Sequence, residues 1–300
     1  MQLVEPAPAK INLTLRVLGR RPDGYHEIES LVAFADVADR LTLSLGAEPR
    51  VTVHGPFAGE IEGENLLARA LALLAETDAG LRLGAADLEK SLPVAAGLGG
   101  GSADAAALLR AVARANPDRA GAIPWHRLAL RLGADVPVCL ASRPALIWGI
   151  GDRLELLEGP LRLPAVAAVL VNPRRPLATA EVFRALGAAA APERRSPPAL
   201  PGPFADVRAL ARFVRAGGND LGRPATALMP AIAHMQAAVA GQPGCLAATL
   251  SGSGPTCVGI FEDGGRARQA ADALASAMPG WWVRATTLGG AAVAPVSWPD

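Results

Sequence analysis

The stretch from Pro93 to Ala107 constrains this chain more than any other. It reads Pro-Val-Ala-Ala-Gly-Leu-Gly-Gly-Gly-Ser-Ala-Asp-Ala-Ala-Ala, so glycines at 97, 99, 100 and 101 run directly into Ser102. An alanine- and leucine-rich run follows and predicts a helix through about Arg114. Glycine lets the backbone take positive φ and turn its N–H groups inward with no Cβ in the way. A helix N-terminus adds unpaired N–H groups and the positive end of the dipole. Together they form a cradle for an anion such as a di- or triphosphate. A plain glycine-rich turn capped by Ser102 is the competing reading of the same residues.

Two familiar phosphate motifs are excluded. A Walker A loop needs Gly-x4-Gly-Lys-Ser/Thr. The nearest approach, Gly84 to Ser91, has Glu89 where the second glycine belongs. The dinucleotide fingerprint Gly-x-Gly-x-x-Gly fails from Gly97, because Ser102 takes the last position. The loop is a third kind. Pro-x-x-x-Gly-Leu-Gly-Gly-Gly-Ser opening a helix resembles the central motif of the GHMP kinases, relatives of galactokinase, homoserine kinase and mevalonate kinase. In that family the loop wraps the phosphates of ATP.

Composition removes several function classes. The 300 residues suffice for one large core or two modest ones. The chain is 51% hydrophobic, yet no apolar run is long enough to span a bilayer. The N-terminal stretch carries Lys10 and no signal-like apolar segment, so secretion is not expected and a cytoplasmic location is. The net charge of +1, with basic residues only in short arginine pairs, speaks against a nucleic-acid surface. Cys139, Cys245 and Cys257 are far apart and suit reduced, buried thiols rather than disulfides or zinc. The histidines lack metal-binding spacing. Lys10 and Lys90 are the only lysines, which singles each of them out.

Along the chain, alternation of Ile11, Leu13, Leu15 and Val17 with polar residues predicts a strand within 1–20, with Lys10 at its beginning. A Pro-Asp-Gly turn then presents Tyr25, the only tyrosine, beside His26. Further alternating runs at 40–45 and 50–53 suit an antiparallel sheet. A helix opens around Asn65, which suits a cap, and runs to about Thr77. Residues 81–92 read as a strand carrying Lys90 toward the loop, where it either reaches the nucleotide or is solvated. A helix over 125–132 ends at Gly133, and Asp135 follows as a turn or cap residue. The domain boundary is placed near residue 160. Beyond it come a strand over 166–172, a helix starting with Thr179 and Phe183, and a mobile Ala-, Pro- and Arg-rich loop over 188–204. A helical region begins at 218–221, a strand–glycine turn–strand unit spans 247–261, and a helix (266–278) and a strand (282–287) close the chain. There is no internal repeat.

Pro-Ala-Lys-Ile-Asn-Leu at 8–13, Arg-Pro-Asp-Gly-Tyr-His at 21–26, Leu-Gly-Ala-Asp-Val-Pro-Val-Cys at 132–139 and Ser-Gly-Ser-Gly-Pro-Thr at 251–256 extend the resemblance over nearly the full length. They resemble the branch of the GHMP kinases that acts on 4-diphosphocytidyl-2-C-methyl-D-erythritol. The resemblance implies a two-domain α+β fold, with a ribosomal-protein-like α/β domain over 1–160 and a ferredoxin-like α+β sandwich over 161–300. It implies ATP-dependent phosphorylation of the substrate's 2-hydroxyl, in non-mevalonate isoprenoid biosynthesis. Asp135 and Lys10 would be catalytic, Asp135 taking or orienting the hydroxyl proton and Lys10 stabilising charge. The loop residues Pro93, Val94, Ala95, Ala96, Gly97, Leu98, Gly99, Gly100, Gly101, Ser102 and Ala103 would bind ATP, together with Asn65 at the adenine and Lys90. Asn12 would contact the same hydroxyl region as Asp135, and Thr179 the substrate's diphosphate or polyol. Tyr25 and Phe183 would sandwich the cytosine, and His26 would read its edge. Mg²⁺ would accompany ATP, with Ser102 the only loop hydroxyl able to approach it; no protein metal site is expected. Partners would be a small molecule bearing cytidine diphosphate, without nucleic acid or membrane, on a monomer or weak homodimer. Two alternatives share the fold: a GHMP kinase for another small alcohol, and a non-catalytic nucleotide-binding protein. Where many relatives have Ser-Ser-Asn after the glycines, this chain has Ser102-Ala103-Asp104, so Asp104 is expected to face away from the phosphates.

Overall fold

The computed structural model describes residues 1–61, 63, 65–193, 196–199 and 202–289. In chain order, β1 (Gln2–Asn12), β2 (Arg16–Arg20), β3 (His26–Leu45) and β4 (Arg50–His54) precede α1 (Leu66–Thr77) and β5 (Gly84–Glu89). Then come α2 (Gly100–Ala115), α3 (Trp125–Leu132), α4 (Val136–Ala141), β6 (Ala145–Gly149), β7 (Arg153–Leu156) and β8 (Val166–Asn172). The remainder is α5 (Thr179–Leu186), α6 (Val207–Gly217), α7 (Gly222–Leu228), α8 (Ala231–Ala240), β9 (Cys245–Leu250), β10 (Cys257–Phe261), α9 (Gly264–Ala277) and β11 (Trp282–Leu288).

One sheet runs through the molecule in the order β4-β5-β3-β11-β8-β10-β9, and β1, β2 and β6 also pair with β3. The spine is β3, 20 residues long. Its outer parts alternate buried and open positions, whereas Ser30–Ala35 is buried throughout, as in a strand covered on both faces. The alternating run anticipated at 40–45 is the end of this one long strand, and that at 50–53 is β4. β1 lies antiparallel along it, with Lys10 opposite Phe34 and Asn12 opposite Val32. The strand in this region starts at Gln2, so Lys10 stands near its end and not at its beginning. The register shifts between Pro8 and Lys10, where proline cannot donate to the ladder. β5 is shorter than anticipated and leaves Lys90 just beyond its end.

Helices α1 to α4 cover the first half's sheet face, with Leu67, Leu74, Leu108, Val112, Leu128 and Val138 packed against Leu41, Leu43 and Leu88. α2 is rich in alanine, and small side chains let it lie close on β1. A second core group holds Ile11, Leu31, Val166, Leu170, Leu210 and Ile260 from both halves, and Leu98 of the glycine loop is part of it. A third packs Ile232, Met235 and Leu274 on Val169, Val171 and Phe261. The glycine loop is thereby seated where the halves meet. No helix among the described residues is long and apolar enough to cross a membrane.

The stretch 188–204, anticipated as a mobile loop, is hydrogen-bonded to β2 at its start. Arg20 donates to the Ala189 carbonyl (2.7 Å) and accepts from Ala191 N–H (3.0 Å). Residues 194, 195, 200 and 201 of that stretch lie outside the described residues. Cys139, Cys245 and Cys257 are free thiols, and burial pushes those of Cys139 and Cys257 up to about 12.

Candidate active site

The glycine loop takes its shape from what holds its carbonyls. Thr256 Oγ1 donates to the Ala96 carbonyl (2.6 Å) and Ser251 Oγ to that of Gly97 (2.8 Å). Both donors belong to the turn between β9 and β10. Leu98 O accepts from the Lys10 N–H (2.8 Å). These bonds tie three consecutive loop carbonyls to other parts of the chain. Gly97 (φ +73°) has no room for a side chain, since a Cβ would lie 2.3 Å from Ser251 O. Gly99 caps α2 in the left-handed conformation, and Ala103 is the first N–H to pair back, to Gly99 O (2.9 Å). The N–H groups of Gly100, Gly101 and Ser102 are the helix's free donors, at its positive end.

A cavity of about 1260 Å³ opens in front of the loop. It is lined by Lys10, Asn12, Tyr25, His26, Asn65, Lys90, Asp135, Thr179 and Phe183, and by Pro93–Gly97 and Gly99–Ser102. Residues more than a hundred positions apart therefore share one cleft. Leu98 and Ala103 do not line it; their side chains are buried in the core. The sequence reading missed Arg20 and Arg184, two cations in the wall, and Ser253, although Arg20 and Ser253 lie beside or within the quoted motifs.

Lys10 crosses the face of Gly99, whose missing Cβ would sit 3.2 Å from Lys10 Cβ, and its Nζ reaches Asp135 Oδ1 at 2.9 Å. Lys10 is buried, and Asp135 is 38% exposed toward the cleft. Asp135 stands at the N-cap position of α4 but makes no side-chain cap bond, so its carboxylate is not used up by the helix. The pair places an acid group and a cation at the mouth of the phosphate cradle. Asn12 donates from Nδ2 to Ser30 Oγ (2.7 Å), while its Oδ1 is buried without a partner in the cleft wall. That oxygen is a ready acceptor for a ligand hydroxyl.

Lys90 is not solvated. Its Nζ lies 2.5 Å from Asp39 Oδ2 and 2.6 Å from Asp104 Oδ2, with all three side chains buried. Asp39 Oδ1 also accepts from Ser91 N–H (2.5 Å) and Leu92 N–H (2.8 Å), so the cluster ties β3, the loop's incoming stem and α2 together. Burial pushes the Asp104 carboxyl up to about 8, with Lys90 opposing and Asp39 adding to the shift. Asp104 is paired with Lys90 and also lines the cleft. Asn65 caps α1 through Leu67 N–H (2.9 Å) and lines the cleft as well.

At the far end, the His26 and Phe183 rings stack at 4.5 Å with 29° between their planes. The Phe183 partner here is therefore His26, while Tyr25 is 58% exposed at the rim. Burial, and then the charge of Arg20, hold the imidazole below its usual pKa. Thr179 Oγ1 meets Ser253 Oγ at 2.8 Å. For a magnesium ion, the Ser102 hydroxyl in the cleft offers one hard oxygen, which fits an ion held chiefly by phosphates and water. No cluster of three or more metal-ligating side chains occurs among the described residues.

Comparison with known proteins gives this arrangement its lineage. Residues 65–143 match the GHMP kinase N-terminal domain model and 204–280 the GHMP kinase C-terminal model. The 4-diphosphocytidyl-2-C-methyl-D-erythritol kinase of Rhodopseudomonas palustris is 49% identical over 297 residues, covering 96% of this chain and 98% of that protein. The chain belongs to the 4-diphosphocytidyl-2-C-methyl-D-erythritol kinase family. The kinase of that name from Parvibaculum lavamentivorans is 48% identical, over 96% of this chain and 99% of its own. A crystal structure of a 4-(cytidine 5'-diphospho)-2C-methyl-D-erythritol kinase superposes with a TM-score of 0.74 at 34% identity, covering 96% of this chain and all of that one. The molecule has the two-domain α+β fold of the GHMP kinases.

Proposed function

We propose that this chain transfers the γ-phosphoryl group of ATP to the 2-hydroxyl of 4-diphosphocytidyl-2-C-methyl-D-erythritol, a step of non-mevalonate isoprenoid biosynthesis in the cytoplasm. The observation that carries the chemistry is the Lys10–Asp135 pair, 2.9 Å apart at the mouth of the glycine loop. The loop amides from Gly97 to Ser102 hold the ATP phosphates, with Asn65 at the adenine and Lys90 bracing the loop from beneath. Asp135 accepts the hydroxyl proton or aims the hydroxyl. The oxygen attacks the γ-phosphorus, the bond to the β,γ-bridging oxygen breaks, and ADP leaves. Lys10 balances the charge on the transferring group. Asn12 Oδ1, orphaned in the wall, receives a hydroxyl of the acceptor. The ring end takes the cytosine, against Phe183 and under Tyr25, with neutral His26 at the base edge and Thr179 toward the diphosphate. Mg²⁺, approached by Ser102, supplies charge neutralisation on the phosphates when bound. A domain boundary near residue 160 fits the pairing of β8 with β10 and β11, and β11 in turn joins β3 of the first half through Leu288 and Ala35.

The test is ADP release from ATP-Mg²⁺ with the cytidylated acceptor, beside homoserine and mevalonate. Turnover is expected with the cytidylated acceptor alone, and Asp135→Ala is expected to lower kcat by about 10²–10⁴-fold. Turnover with another alcohol instead would move the substrate assignment. ATP binding with no turnover of any acceptor would remove the kinase reading.

A further inference from the structure

The segment after α5 does more than connect. α5 carries Thr179 and Phe183 and ends at Gly187. The chain then lies beside β2: Arg20 donates to Ala189 O and accepts from Ala191 N–H, and Arg20 and Ala190 form a parallel bridge. Gly19 is the seat for this contact. A Cβ there would stand 2.4 Å from Ala191 Cβ and 2.6 Å from Ala189 O, so nothing larger than glycine allows the approach. Further on, Glu193 pairs with Arg21 (3.8 Å) and with Arg153. β2 leads through the Pro-Asp-Gly turn directly to His26. The His26 and Phe183 rings, which meet at 4.5 Å, thus come from two segments that the stretch 187–193 pins to each other.

We propose that residues 187–193 form a positioning strap, seated on Gly19 and anchored by Glu193, that holds Phe183 over the base-binding end of the cleft and so sets selectivity for the cytidylated acceptor. The assignment of that end to a cytosine rests on the function proposed above; the strap's hold on Phe183 does not. Gly19, Ala189, Ala191 and Glu193 touch no reacting group. They act through Phe183, and their loss changes acceptor binding while leaving the ATP half of the cleft as it was.

Two readouts test this on Gly19→Ala and on the milder surface change Glu193→Gln, which keeps the fold if the first does not. The chain has only 4 histidines, so the His26 ring protons are separable by NMR. Loss of the Phe183 ring current should move the His26 resonance downfield in both variants, in the absence of any substrate. Kinetically, KM for the cytidylated acceptor should rise by up to about tenfold in Gly19→Ala, as expected for the loss of one aromatic stacking contact, with kcat and KM for ATP unchanged. A merely structural role would lower the melting temperature and the active fraction without moving KM. An unmoved His26 resonance in folded variants, or a wild-type acceptor KM in both, overturns the strap. A wild-type protein that does not turn over the cytidylated acceptor overturns the substrate assignment instead, and the NMR result still decides the strap.

Discussion

At the scale of single residues, Lys90 shows how burial decides what a charge does. Two carboxylates share its ammonium in a buried site at the cleft wall, and the loop's incoming stem hangs on one of them. Removing the cation would leave Asp39 and Asp104 buried and facing each other. Lys90→Met is therefore expected to cost about 3–5 kcal/mol in urea unfolding, as for other broken buried pairs. Asp104→Asn keeps the shape and the Lys90–Asp39 contact and should cost no more than about 1.5 kcal/mol, the worth of an ordinary hydrogen bond. His26 gives a second test. Its folded pKa lies below the usual 6.5, so the fold favours the neutral ring. The contribution is complete above the unfolded value and is lost as pH falls through the lowered folded one. KM for the cytidylated acceptor should accordingly stay flat from about pH 8 to 6.5 and rise only at lower pH, measured by initial rates at saturating ATP.

At the scale of elements, the glycine loop is a strand exit and a helix start whose carbonyls are bound by other parts of the chain. Gly97 is the residue this arrangement cannot replace. Its φ is +73°, and an added Cβ would meet both Ser251 O (2.3 Å) and Gly254 O (2.8 Å). Gly97→Ala should lose about 1–2 kcal/mol through backbone conformation alone, with the collision adding to it. Because the turn must shift to make room, KM for ATP should rise as well. Gly121→Ala, where nothing lies within 4 Å of the added methyl, is the control that should leave both quantities near wild type.

At the scale of the molecule, the cleft exists because the two halves are tied at the loop. Thr256 is the knot: its hydroxyl donates to Ala96 O and accepts from Asn172 Nδ2 at 2.9 Å, all in a buried setting. Thr256→Val preserves shape and removes both side-chain bonds; the Asn172 amide loses this acceptor, while Ala96 O keeps the Thr256 N–H at 3.2 Å. A loss of about 1–3 kcal/mol is expected. The functional signature should be a raised KM for ATP with the acceptor's KM unchanged, since the loop and not the ring end is released; steady-state kinetics in both substrates would show it.

Much of this protein was legible in order along the chain, because the informative signals are local. Glycine spacing before an alanine run announces a loop and a helix start, period 3.6 marks α1 and α3, and the Asn65 cap follows from one side chain bonding a neighbouring N–H. The sequence by itself thus determined the glycine loop and the bounds of α1, α2, α3, β8, α9 and β11, while Lys10 and Asp135 were singled out by the family resemblance. It did not determine which groups meet. That Lys90 would be claimed by Asp39 and Asp104, that His26 would lie on Phe183, and that the stretch after α5 would pack on Gly19 depend on strand register and on contacts between residues tens to hundreds of positions apart. Nor did alternation reveal that β3 runs unbroken for 20 residues, since its middle is buried on both faces and carries no period to read. Local patterns encode turns and faces; only the packed tertiary structure brings one distant charge or ring within reach of another, and in this molecule that packing builds the cleft.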